Sequence, residues 1–346
     1  MSDARRPDAA GRDALPATKS DAATPTTSRA DTTSNVGTGS RIGTGSRIGT
    51  TSHVGTGAWA PGPVEPAAPT RSPRPLPLRV ELARQLTRWR TRGVLLILAV
   101  LPVIIWLAFL IGRDDGGEPP DSPGADLAAQ AQVSGANFTA FTLAMAAGFL
   151  LTMVVALFFG DMVAGEASWS TLKYLLTIPV SRGRLLGQKV AVSLLLAAAG
   201  LALLAGIAFA VGVLAYGTGG LQTPLGEQLG LGESVARLAA ASALVGIHLL
   251  WAAGLGTLLT VLTDAPLGAA GGVVLASILS AILDAITALG DLRVLLPTHY
   301  SNAFQEVLLS PVDAGEITAS VLSALAYALV FGTLAAWHFH RKDITS

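Results

Sequence analysis

The sequence contains no cysteine. This absence excludes disulfide bonds, zinc or iron–sulfur sites held by cysteine, and catalysis by a thiol nucleophile. Charge is also scarce, because Asp, Glu, Lys and Arg make up 13% of the 346 residues, about half of their share in a soluble domain. The formal net charge of zero argues neither for nor against nucleic acid. Because the basic residues cluster beside apolar runs rather than on one surface, we expect no nucleic-acid partner.

Several enzyme signatures are missing as well. The phosphate loop G-x-x-x-x-G-K-[ST], the metalloprotease pattern H-E-x-x-H and the nucleophile elbow G-x-S-x-G do not occur. We therefore expect no enzyme activity, no cofactor and no metal ion in this chain. His338 and His340 are too isolated for a metal site and are interpreted as the boundary of an apolar segment. No secretory signal peptide is expected, since the first apolar run begins only at Gly93.

Residues 1–75 differ in composition from the rest of the chain. They are rich in Thr, Ser, Gly, Ala and Pro, and Trp59 is their one aromatic residue. A six-residue repeat runs from Val36 to Gly57, which is compatible with a small β-solenoid or with a flexible linker. We favour the linker and predict a disordered, low-complexity cytoplasmic tail over residues 1–75.

Long apolar segments fill the remainder of the sequence. A helix needs about 20 apolar residues to cross about 30 Å of hydrocarbon. The segments of this kind are Gly93–Gly112, Asn137–Phe159, Val190–Tyr216, Leu238–Thr263, Leu267–Gly290 and Ile317–His338. The sequence therefore predicts an all-α, polytopic membrane protein, with six transmembrane helices in a permease-like domain over residues 93–346.

The distribution of Lys and Arg predicts the orientation in the bilayer. Basic residues are dense before the first apolar segment, between the second and third segments, and after the last one. Cytoplasmic loops carry such an excess of Lys and Arg. We therefore expect both termini in the cytoplasm and a multi-pass location in the plasma (inner) membrane.

Residues 76–92 are predicted to form a basic interfacial helix. Leu82, Leu86 and Trp89 recur at helical spacing among arginines, which is typical of a helix lying at the headgroup level. There Trp89 would lie at headgroup depth and the arginines would reach lipid phosphates. The alternative is an ordinary basic flank of the first span.

A charged insert, Gly160 to Lys189, separates the second and third apolar segments. Asp161 is predicted to cap a helix that starts as the chain leaves the lipid, and Pro179 is predicted to end that helix. Ser181 is then placed to cap a helix that continues into the third span. One apolar face of the insert consists of Leu172, Leu175 and Leu176. An amphipathic element in the cytoplasm indicates a partner surface.

The insert resembles the signature of type-two ABC transporter permeases, the membrane subunits of many exporters. The stretches "LLPTHYSNAF" and "HFHRKDI" near the end of the chain add to the resemblance. The residues that match the family pattern are Gly165, Glu166, Thr171, Leu172, Pro179, Ser181, Arg182 and Lys189.

The resemblance implies a function and a set of partners. In that family the insert is a coupling helix that docks on a separate cytoplasmic ATP-binding subunit, which holds ATP and Mg. The permease then works with a second permease copy or a homologue. Carried over to this chain, the coupling set also includes Leu175 and Leu176, Glu166 lies at the ATPase contact, and Arg182 pairs with Glu166 or with acids of the partner. The alternative is that these charges are solvated flanks of two spans.

Two polar residues inside apolar segments are candidates for a translocation pathway. Asp284 is expected about six residues from the outer end of its span, at a depth of roughly 9 Å. It either lines a pathway or reaches the outer headgroups. His248 is expected near mid-depth, where an interhelical hydrogen bond is favoured over a substrate or proton role. Alternative functions are an ion-coupled secondary transporter and a non-catalytic polytopic membrane protein.

Overall fold

The computed structural model describes residues 78–114, 125–168, 181–223, 226–309 and 312–341. These parts of the chain are predominantly helical, and their β-structure consists of one isolated bridge between Gln222 and Gln228. The predicted helical class is confirmed for this part of the protein. The tail over residues 1–75 and the central part of the insert lie outside the described residues.

Ten α-helices and two short 3-10 helices follow one another in the described residues. The α-helices are α1 Leu78–Thr87, α2 Trp89–Asp114, α3 Ala125–Ala131, α4 Gly135–Ala147, α5 Leu150–Ser168, α6 Arg182–Tyr216, α7 Leu231–His248, α8 Leu250–Leu262, α9 Pro266–Ala285 and α10 Ala314–Arg341. The 3-10 helices, Thr287–Leu295 and Ala303–Leu308, lie between α9 and α10.

Several helices have the length and composition needed to cross a membrane. Five candidates satisfy both conditions, namely Trp89–Gly112, Arg182–Tyr216, Leu231–Leu262, Pro266–Ala285 and Ala314–Arg341. A sixth is obtained if α4 and α5, which meet at an angle of 55°, are taken together as one span. The described part of the chain is thus compatible with a multi-pass membrane protein of five to six spans.

Two segment boundaries differ from the predicted ones in an informative way. The first span follows a separate helix and begins at Trp89, four residues before the predicted Gly93. The fifth apolar helix ends at Ala285 rather than Gly290, because Ile286 has extended backbone angles and the chain continues as a 3-10 helix. Apolar composition continues through this break, so composition could not reveal it. Asp284 therefore lies one residue from the end of α9 rather than about six, and its depth in the bilayer stays a prediction.

The core is built around α5, which packs against α6, α8 and α9. Small residues allow close contact between helices. A Cβ added to Gly160 would lie 2.8 Å from the backbone nitrogen of Ala270, and one added to Gly254 would lie 2.9 Å from the Cα of Ala328. The close approach at Gly254 joins α8 to α10.

Candidate functional site

Asp161 lies within α5 and binds two arginines from the start of the described chain. The expectation that Asp161 caps a new helix is wrong, because α5 runs without interruption from Leu150 to Ser168. Arg88 donates to the Asp161 carboxylate with an Nη1–Oδ2 distance of 2.8 Å, and Arg90 donates with an Nη1–Oδ1 distance of 3.1 Å. These contacts attach the α1–α2 junction to α5.

Glu166, one and a half turns further along α5, connects three helices. Its Oε1 lies 2.6 Å from Nζ of Lys189 on α6 and 2.6 Å from Nη2 of Arg84 on α1. Arg84 also contacts Glu81 on its own helix at 2.7 Å. We call the group of Glu81, Arg84, Glu166 and Lys189 the ionic junction. It contains two acidic and two basic groups, so its formal charge is balanced.

Three of the four side chains of the ionic junction are largely excluded from solvent, whereas that of Arg84 is 45% exposed. The side chains of Glu166 and Lys189 are 3% and 4% exposed, and that of Glu81 is 6% exposed. A buried charge is costly unless it is paired, and removal of one partner leaves the other charge uncompensated. The three helices are therefore held in one arrangement as long as the pairs persist.

The position of these residues in α1 follows from helical spacing. Glu81 and Arg84 are three residues apart and so lie on the same side of the helix. Leu82 packs against the core, whereas Leu78, Val80 and Leu86 are exposed. The helix therefore presents its charged residues to α5 and α6 and leaves an apolar surface uncovered.

The charges in α1 modify each other's protonation. Burial alone would raise the pKa of the Glu81 carboxyl, but the hydrogen bond from Arg84 and the charge of Lys189 outweigh it and hold this pKa below its usual range. Burial alone would lower the pKa of the Arg84 guanidinium. The carboxylates of Glu81 and Glu166 outweigh this effect and raise the pKa above its usual value. Both groups are therefore charged at neutral pH.

Gly165 provides the space that Asp161 occupies. A Cβ at this position would lie 2.6 Å from Oδ1 of Asp161, one helical turn earlier. A larger residue would push the carboxylate away from Arg88 and Arg90. The glycine of the predicted coupling set thus has a packing role beside an ion pair.

The structure brings together part of the predicted coupling set. Glu166 and Lys189 are in direct contact, and Ser181 occupies the predicted N-cap position of α6 without a capping hydrogen bond from its hydroxyl. Arg182 donates to the backbone oxygen of His340 on α10 at 3.3 Å, and its predicted pairing with Glu166 stays a prediction. The members that lie outside the described residues are Thr171, Leu172, Leu175, Leu176 and Pro179.

Sequence reasoning missed the part of the site that comes from α1. The arginines of this region were expected to reach lipid phosphates, yet Arg84, Arg88 and Arg90 contact carboxylates of α1 and α5. One available signal was Glu81, an isolated acidic residue in an otherwise basic stretch. An acid at that position indicates a specific partner rather than attraction to an anionic surface.

A second polar cluster lies at the end of α9. Oδ1 of Asp284 is 2.6 Å from Nδ1 of His299 and 3.4 Å from Nε of Arg293. Ser280, one turn earlier, shares a hydrogen bond of 2.6 Å with Thr298. These contacts bind the end of α9 to the segment that follows it. A pathway role for Asp284 stays a prediction.

His248 is the last residue of α7, at the break before α8, and is 8% exposed. The imidazole takes part in none of the hydrogen bonds found within the described residues, so the expected interhelical hydrogen bond is absent there. Its proposed pathway role stays a prediction as well.

The fold and the site together define a class: a multi-pass helical membrane protein whose helix-end charges join three helices. The chain belongs to the family described as DUF2705, a protein of unknown function, whose profile matches residues 100–345. None of the curated proteins compared with the chain matches it.

Proposed function

We propose that this protein is the membrane-spanning permease subunit of an ATP-binding cassette exporter. It would couple ATP hydrolysis by a separate subunit to substrate translocation. The observation that carries the proposal is the ionic junction, in which Glu166 contacts both Lys189 and Arg84 at 2.6 Å. This junction lies where the insert leaves α5 and returns to α6.

The position of the junction suits a mechanical role. A push on the insert reaches α5 and α6 at their adjoining ends, and Arg84 passes it on to α1. Buried, paired charges resist separation, so the three helices would move as one body rather than independently. A loop without such a junction would absorb the displacement.

The proposal includes partners and an orientation. The insert, with Leu172, Leu175 and Leu176, would dock on a cytoplasmic ATP-binding subunit, and that subunit would hold ATP and Mg. A second copy of this chain or a homologue would complete the transporter. The six-span arrangement with both termini in the cytoplasm and a plasma-membrane location belong to the same proposal.

The experiment is affinity purification of the full chain from its native membrane, identification of the co-purifying proteins by mass spectrometry, and ATPase assays of the complex in lipid nanodiscs. We expect a stable complex whose ATPase activity depends on the permease. Glu166→Ala and Leu175→Asp should each lower this activity at least tenfold while the chain stays in the membrane. The matched control is Glu316→Ala, because Glu316 is an exposed acid in the first turn of α10.

Two results would contradict the proposal. One is the absence of any nucleotide-hydrolysing partner in the purified complex. The other is a Leu175→Asp protein that keeps wild-type ATPase coupling. The second variant matters because Glu166→Ala alone can act by destabilising the fold.

A second candidate function, an ion-coupled secondary transporter, is favoured by the bend between α4 and α5. Such transporters bind substrate where spans are interrupted. Here α4 and α5 meet at 55°. Uptake into ATP-free vesicles driven by a proton or sodium gradient would support this function and exclude the exporter.

A further inference from the structure

A cavity of about 390 Å³ lies between the α1–α2 junction, α5, α6 and the start of α9. Its size is within the range of small-molecule sites in proteins, about 300–1,000 Å³. The lining residues that matter here are Arg90, Gly93, Ile97, Leu157, Asp161 and Leu267. This cavity is not part of the ionic junction, although Asp161 lies next to it along α5.

The lining is polar at one end and apolar at the other. Arg90 precedes Ile97 by seven residues on α2, which corresponds to about 10 Å along a helix axis. On α5, Leu157 lies one turn before Asp161. Both helices therefore place their charged residue at the end near α1 and their apolar residues further into the span.

The charged residues that line the polar end, Arg90 and Asp161, balance each other. Arg88, which lies outside the lining, donates to the same carboxylate, so two guanidinium groups share one carboxylate at the mouth. The Arg90 side chain is 66% exposed despite its contact with Asp161. It therefore keeps donors available for a second anionic group.

The apolar end opens toward the surroundings of the helices. Ile97, in the apolar part, is 57% exposed, and Trp89, at the mouth beside Arg90, is 86% exposed. Leu267, which is 75% exposed, also lies near the mouth, because Ala270, three residues later on α9, packs against Gly160 next to Asp161. Tryptophan is enriched at the headgroup level of membranes. The arrangement of an exposed Trp, a cationic mouth and an apolar interior matches the order of a lipid from headgroup to acyl chain.

We propose that this cavity binds one anionic glycerophospholipid of the bilayer, with its phosphate on Arg90 and an acyl chain along Ile97 and Leu157. Basic pockets between membrane helices recognise anionic headgroups in this way. The net positive charge selects an anionic over a zwitterionic lipid. The test of this proposal measures lipid binding, so its outcome does not depend on whether the protein is part of an exporter.

The test uses native mass spectrometry of the purified, delipidated full-length protein. Phosphatidylglycerol and phosphatidylcholine with identical acyl chains are added at equal concentration, and bound lipid is counted. We expect about fivefold more phosphatidylglycerol bound, the preference that one Arg near a headgroup supplies. Circular dichroism of each variant checks that the helices are intact.

Two pairs of variants separate a specific site from general attraction. Arg90→Gln should abolish the preference, whereas Arg79→Gln, which removes an exposed charge of α1 outside the cavity, should keep it. Gly93→Leu should reduce binding of both lipids by filling the cavity. Gly332→Leu on α10 should leave the binding of both lipids unchanged. The two variants are matched, because an added Cβ meets open space at both glycines.

The proposal is overturned if the wild-type protein binds both lipids equally. It is also overturned if Arg79→Gln lowers the preference as much as Arg90→Gln, because the attraction would then be diffuse. Unchanged binding to Gly93→Leu would place the lipid outside the cavity and would likewise reject the proposal.

Discussion

At the scale of single residues, the contact between Glu166 and Lys189 is the most consequential pair in the described structure. Both side chains are almost fully buried, and they come from neighbouring helices. A buried ion pair adds little stability compared with an apolar pair of similar size, but a single remaining charge is strongly destabilising. The pair therefore fixes which arrangement of helices is allowed.

The first prediction concerns this pair. Lys189→Met should destabilise the protein by about 3–5 kcal/mol, because it removes an almost fully buried cationic partner of the Glu166 carboxylate. The double variant Glu166→Gln/Lys189→Met should recover most of that loss. Unfolding in detergent, followed by circular dichroism, measures both. A Lys189→Met protein as stable as the wild type would show that the pair is not maintained in solution.

The second prediction concerns Glu81. Its pKa is lower in the folded protein than the ordinary value of 4.5, so its charged form stabilises the fold. This contribution is complete above pH 4.5 and is lost as the pH falls through the folded-state pKa. Glu81→Gln should therefore be less stable than the wild type at neutral pH.

The stability difference should shrink below pH 4.5 and disappear once the pH lies below the folded-state pKa of Glu81. The measurement is thermal unfolding across a pH series. Glu233→Gln is the control, since Glu233 forms an exposed contact with Arg237 on its own helix. An equal effect of both substitutions would contradict a specific role for Glu81.

At the scale of helices, the separation of α1 from α2 determines the site. Had the first span simply continued as a basic flank, Arg84 would not lie beside Glu166. The chain instead ends α1 at Thr87 and starts α2 at Trp89, which turns the arginines toward α5. Of the predicted basic segment 76–92, residues 78–87 form a separate helix whose Arg84 contacts the carboxylates of Glu81 and Glu166. Its interfacial location stays a prediction.

The third prediction tests the packing of α8 on α10. Gly254→Ala should destabilise the protein by about 1–3 kcal/mol, because the added Cβ would overlap the backbone at Ala328. Gly332→Ala on α10 meets open space and should leave stability unchanged or raise it, since Ala favours helix. Unfolding of both variants in detergent gives the comparison. Equal stability would refute the close approach.

At the scale of the whole molecule, the ionic junction bears on the number of spans. Arg84 precedes the first span, and Lys189 lies near the start of α6. Their shared contact with Glu166 brings α1, the end of α5 and the start of α6 together. The proposed six-span arrangement, in which α4 and α5 form one span, predicts this contact, whereas a re-entrant turn would leave α6 starting on the opposite side.

The fourth prediction uses the absence of cysteine, which makes every single-cysteine variant directly interpretable. Arg79→Cys and Ser181→Cys should react with a membrane-impermeant thiol reagent from the same side of the membrane. Asn302→Cys should react from the other side. Labelling of the first two positions from opposite sides would exclude the six-span arrangement.

The apolar segments determined the helical class and the approximate positions of the spans, because about 20 consecutive apolar residues have few other stable solutions in a membrane. The sequence also placed Glu166 and Lys189 in one functional set, through their resemblance to a family pattern. It could not determine that α9 ends at Ala285, that α4 and α5 bend at 55°, or that Arg84 meets Glu166 across 82 positions of the chain. Composition and spacing describe one segment at a time, whereas ion pairs between helices and the cavity beside Arg90 depend on how separate segments pack. Only the tertiary structure decides those.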